Sequence, residues 1–345
     1  MKKTTIHEIA KALNINASTV SRALNDSERV KAKTKDMVLT KARELGYTRN
    51  MLASNLRRNK SNTIGVVVPR ISRYFFSSTI AGIEEMAYQA GYNVIICQSL
   101  EEIDRERKII RNLMANRVDG ILISVSMETQ DPTHLTECFE NGTPLVFFDR
   151  HVAGTRQTGK VLIDDVQGGF EATEHLIGQG CRKIAHLTAP LDVEIYKNRH
   201  KGYQSALKKH KISYDKNLVL VSQLSKDDGY RQAAKIVEEL EGVDGIFSAN
   251  DFAAIGAMNY LKERDIKIPD DIAITGFSNE PTSAVIEPAL TTVDQSGAEI
   301  GRLACNLLLD YFENGTALVN DKTIMLPPKL IVRDSTQRKN YAFEL

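Results

Sequence analysis

"NASTVSRALN", residues 16–25, is a short segment dominated by small and hydroxylated side chains. Asn16 stands where a helix cap belongs, and Ala17, Ser18, Thr19, Ser21 and Arg22 follow it. Val20, Ala23 and Leu24 alone suit a core. A helix that keeps its apolar residues on one narrow stripe leaves its other face for a partner. Upstream, Thr5-Ile6-His7-Glu8 matches a capping box, with Thr5 as cap and Glu8 reaching back. Ile6, Ile9, Ala10 and Leu13 then recur at helical spacing, and Asn14-Ile15-Asn16 interrupts the run. Downstream of a polar link, Asn25–Arg29, a third helix is predicted from Ala32 to Leu45. Met37, Val38, Ala42 and Leu45 face inward and Gly46 ends it. Two helices joined by about three residues, with small Ala10 where they approach, have the layout of a helix-turn-helix.

Charge supports a polyanion partner for this head. Residues 1–60 hold 14 Lys and Arg against five Asp and Glu, whereas the remainder holds 31 against 39. A basic head on an acidic body directs a nucleic acid to the head alone. Arg22 is the candidate for a bidentate contact with guanine. Ser18 permits close approach, and Ala17 can touch a thymine methyl. Thr19, Ser21 and Asn25 suit phosphates, as do Lys31, Lys33 and Thr34 at the start of the third helix. Thr5 and Asn16, at the helix starts, complete the DNA-facing set. The alternative is a three-helix module for a protein partner; the coincidence of basic excess with the helix-turn-helix favours DNA.

Residues 49–61 are polar and basic, with sparse apolar residues, and read as a linker with weak helical tendency. From Thr63 onward, apolar runs suited to buried parallel strands alternate with helical segments. The runs are 64–68, 93–97, 119–124, 145–148, 183–187, 245–248 and 272–277, with shorter candidates at 161–163 and 217–221. Helices are expected near 77–90, 102–116, 167–179, 196–210, 227–240 and 251–264. One open sheet needs fewer strands than this, so two similar lobes are expected, with elements near 290–333 crossing back to complete both. Ligands in such folds sit at the carboxyl ends of strands.

Positive support for catalysis is absent. The chain has no G-x-G-x-x-G after a strand, no phosphate-binding P-loop and no G-x-S-x-G elbow. Its seven histidines and four cysteines lack metal-ligand spacing, so no metal and no cofactor are expected. Buried free thiols imply a reducing, cytoplasmic setting. No apolar run of about 7–15 residues follows Lys2 and Lys3, so no export signal is expected. No stretch approaches the ~20 apolar residues of a membrane span.

The segments "TIHEIAKALNINASTVSRALN", "VKAKTKDMVLTKARELGY" and "RNMLASNL" resemble the DNA-binding head and hinge of the lactose-repressor (LacI) family. "PLVFFDR", "EHLIGQGCRKIAHL", "FSANDFAAIGAMNYLKERDIKIPDDIAITGF" and "PALTTVDQS" continue the likeness in order. The resemblance implies an all-α head at 1–48, a hinge at 49–61 and a two-lobed domain at 62–340 like periplasmic sugar-binding proteins, with two doubly wound parallel sheets. Lobe one would span about 62–162 and 293–322, lobe two about 163–292 and 323–340. It implies a homodimer, in some members a tetramer, on near-palindromic double-stranded operators. Ala53 and Leu56 match hinge positions, Leu56 being either the minor-groove wedge or a contact between paired hinges. Tyr47, Asn50 and Arg57 would anchor phosphates or the minor groove.

The same resemblance places a small-molecule effector, a carbohydrate or its derivative, between the lobes. Matching positions are Arg70, Ser72, Tyr74 and Phe75, then Asp149 and Arg150, then Asp165, Arg199, Asn250 and Asp251. Phe75 is open to a core role instead. Many members carry an acid where this chain has Ser278, which removes a carboxylate that grips paired hydroxyls. With Arg70 and Arg73 beside the cleft, this suggests an acidic effector; the alternative is that both arginines pair with carboxylates of the protein. Repression is the commoner family outcome and activation the other. A regulator with a vestigial cleft is the remaining rival.

Overall fold

The structure is a computed structural model that describes residues 4–47, 60–155, 158–315 and 322–338. The chain divides into two units, Met1–Ser61 and Asn62–Leu345. The first contains α1 (Ile6–Leu13), α2 (Ala17–Leu24) and α3 (Ala32–Glu44). The Thr5 hydroxyl accepts from the Glu8 N–H and the Glu8 carboxylate accepts from the Thr5 N–H, closing the capping box. Asn16 begins α2 in extended backbone but makes no side-chain cap, so the expected amide–backbone bond is absent. Ile9, Ala10, Val20, Ala23, Val30, Val38 and Ala42 form the small core. Met37 and Leu45, expected inward, are 44% and 38% exposed. Neighbouring helix positions lie about 100° apart. A core this narrow is filled by the Val38/Ala42 pair, and Leu45 lies beyond the last helical turn.

In the second unit, valine- and isoleucine-rich runs form central strands buried on both faces, as parallel sheets require, whereas the run at 93–97, expected to be buried, lies in an edge strand with Ile95 and Ile96 39% and 43% exposed. One sheet has the order β11-β5-β4-β3-β1-β2. Its members are β1 (Thr63–Val68), β2 (Asn93–Gln98), β3 (Gly120–Ile123), β4 (Leu145–Phe148), β5 (Gly159–Ile163) and β11 (Thr323–Leu326). The other has the order β12-β10-β9-β8-β6-β7. It comprises β6 (Ile184–Thr188), β7 (Val219–Val221), β8 (Gly245–Ser248), β9 (Ala273–Phe277), β10 (Thr291–Asp294) and β12 (Lys329–Ile331). Pairing is parallel except for β12 on β10. Helices α4 (Tyr74–Gln89), α5 (Ile103–Ala115) and α6 (Thr133–Glu140) flank the first sheet. Helices α7 (Asp165–Gly178), α8 (Glu194–Lys209), α9 (Lys226–Glu239) and α10 (Asp251–Glu263) flank the second. Helix α11 (Gly297–Asn314) returns to the first lobe and buries Ile300, Ala304, Cys305, Leu307 and Leu308 there.

The crossovers differ from the expected lobe boundaries. Thr291–Val293 of β10 pair with β9 and Asp294 pairs with Lys329 of β12, so the chain stays in the second lobe through Asp294 rather than leaving near 293. Strand β11 pairs in register with β5, Thr323 opposite Lys160, which puts 323–326 in the first lobe and not the second. The cause is an edge requirement. Strand β5 has one open side after pairing β4, and β11, which follows α11 in the sequence, pairs along that side.

Helices α7 and α8 cross at two glycines. A Cβ on Gly169 would lie 2.2 Å from the Arg199 carbonyl oxygen, and one on Gly202 would lie 2.2 Å from that of Val166. Neither backbone can yield without separating the helices. Gly169→Ala is expected to lower the unfolding midpoint of this unit, at a cost of about 1–3 kcal/mol from overpacking. An unchanged urea midpoint for the full chain would show that the helices cross more loosely.

Candidate nucleic-acid interface and interlobe site

On α2, Asn16, Ser18 and Arg22 are exposed, and Ala17, Thr19 and Ser21 are half-buried. Arg22 forms no ion pair among the described residues. The Asn25 amide donates to the Ser21 carbonyl at 2.6 Å, closing the helix end, which engages a group expected on phosphate. Lys31 is exposed at the start of α3 and Thr34 is half-buried in its first turn, where unpaired N–H groups favour an anion. Tyr47 is half-buried, packs against the head's core and donates its N–H to the Ala42 carbonyl. Thr5 is exposed but committed to its capping box. Asn50, Ala53, Leu56 and Arg57, with residues 49–59 of the proposed hinge, lie outside the described residues.

The interlobe site stands where strand order reverses in both sheets, between β1 and β3 and between β6 and β8. Such reversals open a crevice at the strands' carboxyl ends. The loop after β1 brings Arg70 and Arg73, the turn after β4 Asp149 and Arg150, and the turn after β8 Asn250 and Asp251. Ser278 follows β9. A chamber of about 340 Å³ is lined by Arg70, Phe75, Asp149, Arg150, Arg199, Asn250, Asp251 and Ser278. Asp165 instead lines an adjoining chamber, together with Asp149 and Arg150. Ser72 and Tyr74 are exposed and line neither. Phe75 serves both readings, being 6% exposed in the first lobe's core and present in the chamber wall. Asp149 and Ser278 both have left-handed backbone, φ 61° and 109°. Strain of that kind at strand ends gathers at functional loops.

Several polar groups are held by the protein itself. Arg199 Nε donates to Asp165 Oδ1 at 2.7 Å, a terminal nitrogen donates to the Ala249 carbonyl at 2.7 Å, and the guanidinium lies 3.7 Å over the Phe277 ring. Burial pushes the Asp165 carboxyl up to about 6, against the pull of Arg199. Burial lowers the basicity of Arg150, but Glu101, Tyr196 and Asp149 together outweigh it and raise it above the ordinary value. A terminal nitrogen of Arg150 meets both Glu101 oxygens, at 3.1 and 2.9 Å. Asp149, also raised by burial, accepts from Ser124 Oγ at 3.0 Å. The Asn250 amide caps α10 through the Ala253 N–H and donates to the Leu224 carbonyl.

Asp251 is fully buried and ties the Ser278 loop in place. It accepts from Thr292 Oγ1 at 2.6 Å and from the Glu280 N–H at 2.7 Å. Burial pushes its carboxyl up to about 7 from an ordinary 3.8. The folded state therefore keeps a proton that the unfolded chain releases between these values, and this component of stability falls as pH rises through that window. Asp251→Asn is expected to flatten the dependence of Tm on pH between pH 4 and 7. Equal slopes in both proteins would mean that Asp251 ionises normally.

Sequence reading missed Glu101 and Glu280, which line the same chamber with Gln295. Glu280, two residues after Ser278, places a carboxylate in the chamber wall. Its Oε1 accepts the Tyr74 N–H across the cleft at 3.3 Å. Glu280 also faces Arg73, whose guanidinium stacks 3.7 Å over Phe252 of the other lobe. Arg73 forms no ion pair with a carboxylate among the described residues and Arg70 is exposed, so the alternative in which both arginines pair with carboxylates of the protein is not met.

Residues 5–50 match the family model for bacterial regulatory proteins of the lacI family, and residues 173–336 match that for a periplasmic binding protein-like domain. Catabolite control protein A of Priestia megaterium is 31% identical over 334 residues, spanning 96% of this chain and 99% of that protein. Among solved structures, a lac repressor dimer bound to operator and the anti-inducer ONPF matches with TM-score 0.86 and 25% identity. That match covers 98% of this chain and 100% of the other. A complex of the transcriptional regulator CelR with cellobiose matches with TM-score 0.73 and 26% identity, covering 96% and 100%. The related proteins are regulators, not enzymes.

Proposed function

Because the chain belongs to the lacI family of bacterial regulatory proteins, we propose that it is a homodimeric transcriptional repressor whose grip on operator DNA is set by a sugar between its lobes. One observation carries the reading: the exposed polar face of α2, with Ser18 and Arg22 at its centre, has no side-chain hydrogen bond or ion pair from those two residues among the described residues. A recognition helix needs such a face in the major groove, and two symmetry-related heads read two half-sites. The chain acts in the cytoplasm, where the DNA is. Among the described residues no helix is long and apolar enough to cross a membrane.

The cleft supports the effector half of the reading. Its phenylalanines and its carboxylate, guanidinium and amide groups suit a hydroxylated ring. Glu101 and Glu280 offset the arginines, so a neutral sugar fits better than an acidic one. Tyr74–Glu280 and Arg73–Phe252 join the lobes, so a ligand that binds between them biases the lobe angle. That coupling is reciprocal with DNA affinity. The test is selection of duplexes from a random pool, followed by titration of the selected site with and without candidate sugars. A strictly monomeric chain with no salt-sensitive retention of any duplex would refute the proposal. Calorimetry in which acidic sugars bind and neutral ones do not would restore the acidic effector.

A further inference from the structure

In the loop after β9, Ser278 and Glu280 line the first chamber, whereas Asn279 between them lines neither chamber. Ser278 and Asn279 are consecutive residues with left-handed backbone, φ 109° and 48°. Few residues other than glycine adopt such backbone, and asparagine is among the most tolerant. Asn279 Oδ1 accepts from a terminal nitrogen of Arg333 at 2.7 Å, and its Nδ2 donates to Asp294 Oδ2 at 2.7 Å. A guanidinium only donates and a carboxylate only accepts, so the position needs one acceptor and one donor on a short side chain. An amide meets that need. Aspartate in its place would lose the second bond and face the like charge of Asp294.

The two partners stand beside places where the chain changes lobe. It crosses at Asp164, at Gln295–Ser296 and at Pro327–Pro328. Asp294 precedes the second crossing. Its other oxygen accepts the Ser296 N–H at 2.6 Å, at the left-handed residue that opens α11. Arg333 follows the third crossing, and its other terminal nitrogen donates to the Leu290 carbonyl at 2.8 Å and to Ser283 Oγ at 2.9 Å. In the first lobe, α11 and α4 meet backbone to backbone. A Cβ on Gly301 would lie 2.1 Å from the Thr79 carbonyl oxygen, and one on Gly82 2.1 Å from that of Ala298. Helices packed so closely shift together. The loop reaches this pair twice, at α11 through Asn279, Asp294 and Ser296, and at α4 through Glu280 and Tyr74.

We propose that Asn279 is a positioning residue, a clasp that fixes the chamber's loop to two of the crossings and so passes a displacement of Ser278 or Glu280 to α11 and α4. The crossings are the hinge about which two such lobes turn, and the clasp sets where they rest. What the clasp serves depends on reading the cleft as an effector pocket; the clasp itself does not.

The experiment is amide hydrogen exchange, read by mass spectrometry, on the full-length protein and on Asn279→Asp and Asn279→Gly, both of which tolerate left-handed backbone. Without ligand, amides in 294–300 and 74–80 are expected to exchange about ten-fold faster in both variants, the effect of losing a hydrogen bond to a charged group. Amides of β6 and β8 should keep their wild-type rates. A residue that only stabilises the second lobe would speed exchange across that whole sheet. That result, or unchanged rates in 294–300 and 74–80, overturns the proposal. Glucose, ribose and cellobiose are then added in turn. A sugar that binds should slow exchange in 294–300 of the wild type and not of the variants; equal slowing in all three proteins would show that Asn279 carries nothing from the chamber. If none of them binds, the sugar reading loses its support, and the rates of the free proteins decide the clasp alone.

Discussion

Arg22→Ala lowers affinity for the preferred duplex by about 1–3 kcal/mol per half-site contact and relaxes preference at one base pair in each half-site. The argument starts from what Arg22 does not do. It is exposed, and it pairs with no carboxylate among the described residues, so its removal costs the head little stability. It sits on the face of α2 opposite Val20 and Ala23, which anchor the helix to the core. Lys31→Ala is the control. Lys31 sits at the start of α3 and is expected on phosphate rather than on a base. Its loss weakens all duplexes about equally and reduces the salt slope by about one contact. The measurement is binding of selected and scrambled duplexes at several salt concentrations. If Arg22→Ala keeps the wild-type preference while weakening both, it is a phosphate contact, and α2 does not read sequence through it.

What the sequence revealed and what it hid differ in physical kind. The span of α2 and the Thr5/Glu8 capping box were legible because caps and apolar stripes are local signals. The central strands were legible because both faces are covered and the apolar run is continuous, but the same kind of run misled at β2, an edge strand that leaves Ile95 and Ile96 exposed. Helix α6, THLTECFE, escaped notice because His134, Leu135 and Cys138 bury a face that carries little apolar periodicity. The place of β11 was hidden because its choice between sheets depends on which edge is open, a long-range matter.

The site divides the same way. The polar cleft residues were candidates through the family resemblance, and the strand-order reversals bring many of them together. Their hydrogen bonds were not visible: Asn250 and Asp251 are engaged within the protein, and Asp165 faces a different chamber. Glu101 and Glu280 stand in loops without a motif. For Glu280 a signal existed in "SNEP", an acid two positions beyond the one where an acid was expected. Finding Glu101 needed knowledge that its loop meets Arg150, which lies 49 positions away.

Arg199→Met destabilises the second unit by about 3–5 kcal/mol, and Asp165→Asn in the same chain restores most of that loss. Both side chains are almost fully buried, 3% and 5% exposed, and joined at 2.7 Å. Taking the guanidinium away leaves a carboxylate without its cation in a place where burial already pushes it up to about 6. The carboxyl then takes up a proton at higher pH than in the wild type, so the single variant loses stability further as pH rises past neutrality. The paired variant removes the uncompensated charge, but the packing over Phe277 and the bond to the Ala249 carbonyl stay lost, so recovery is incomplete. Two roles for Arg199 can then be separated. If it only braces the second lobe, the paired variant recovers effector binding together with stability. If its face toward the first chamber holds the effector, stability returns and binding does not. Urea denaturation with calorimetric titration on the same three variants decides between them. A paired variant no more stable than Arg199→Met would show that the Asp165 charge is not what makes the loss of Arg199 costly.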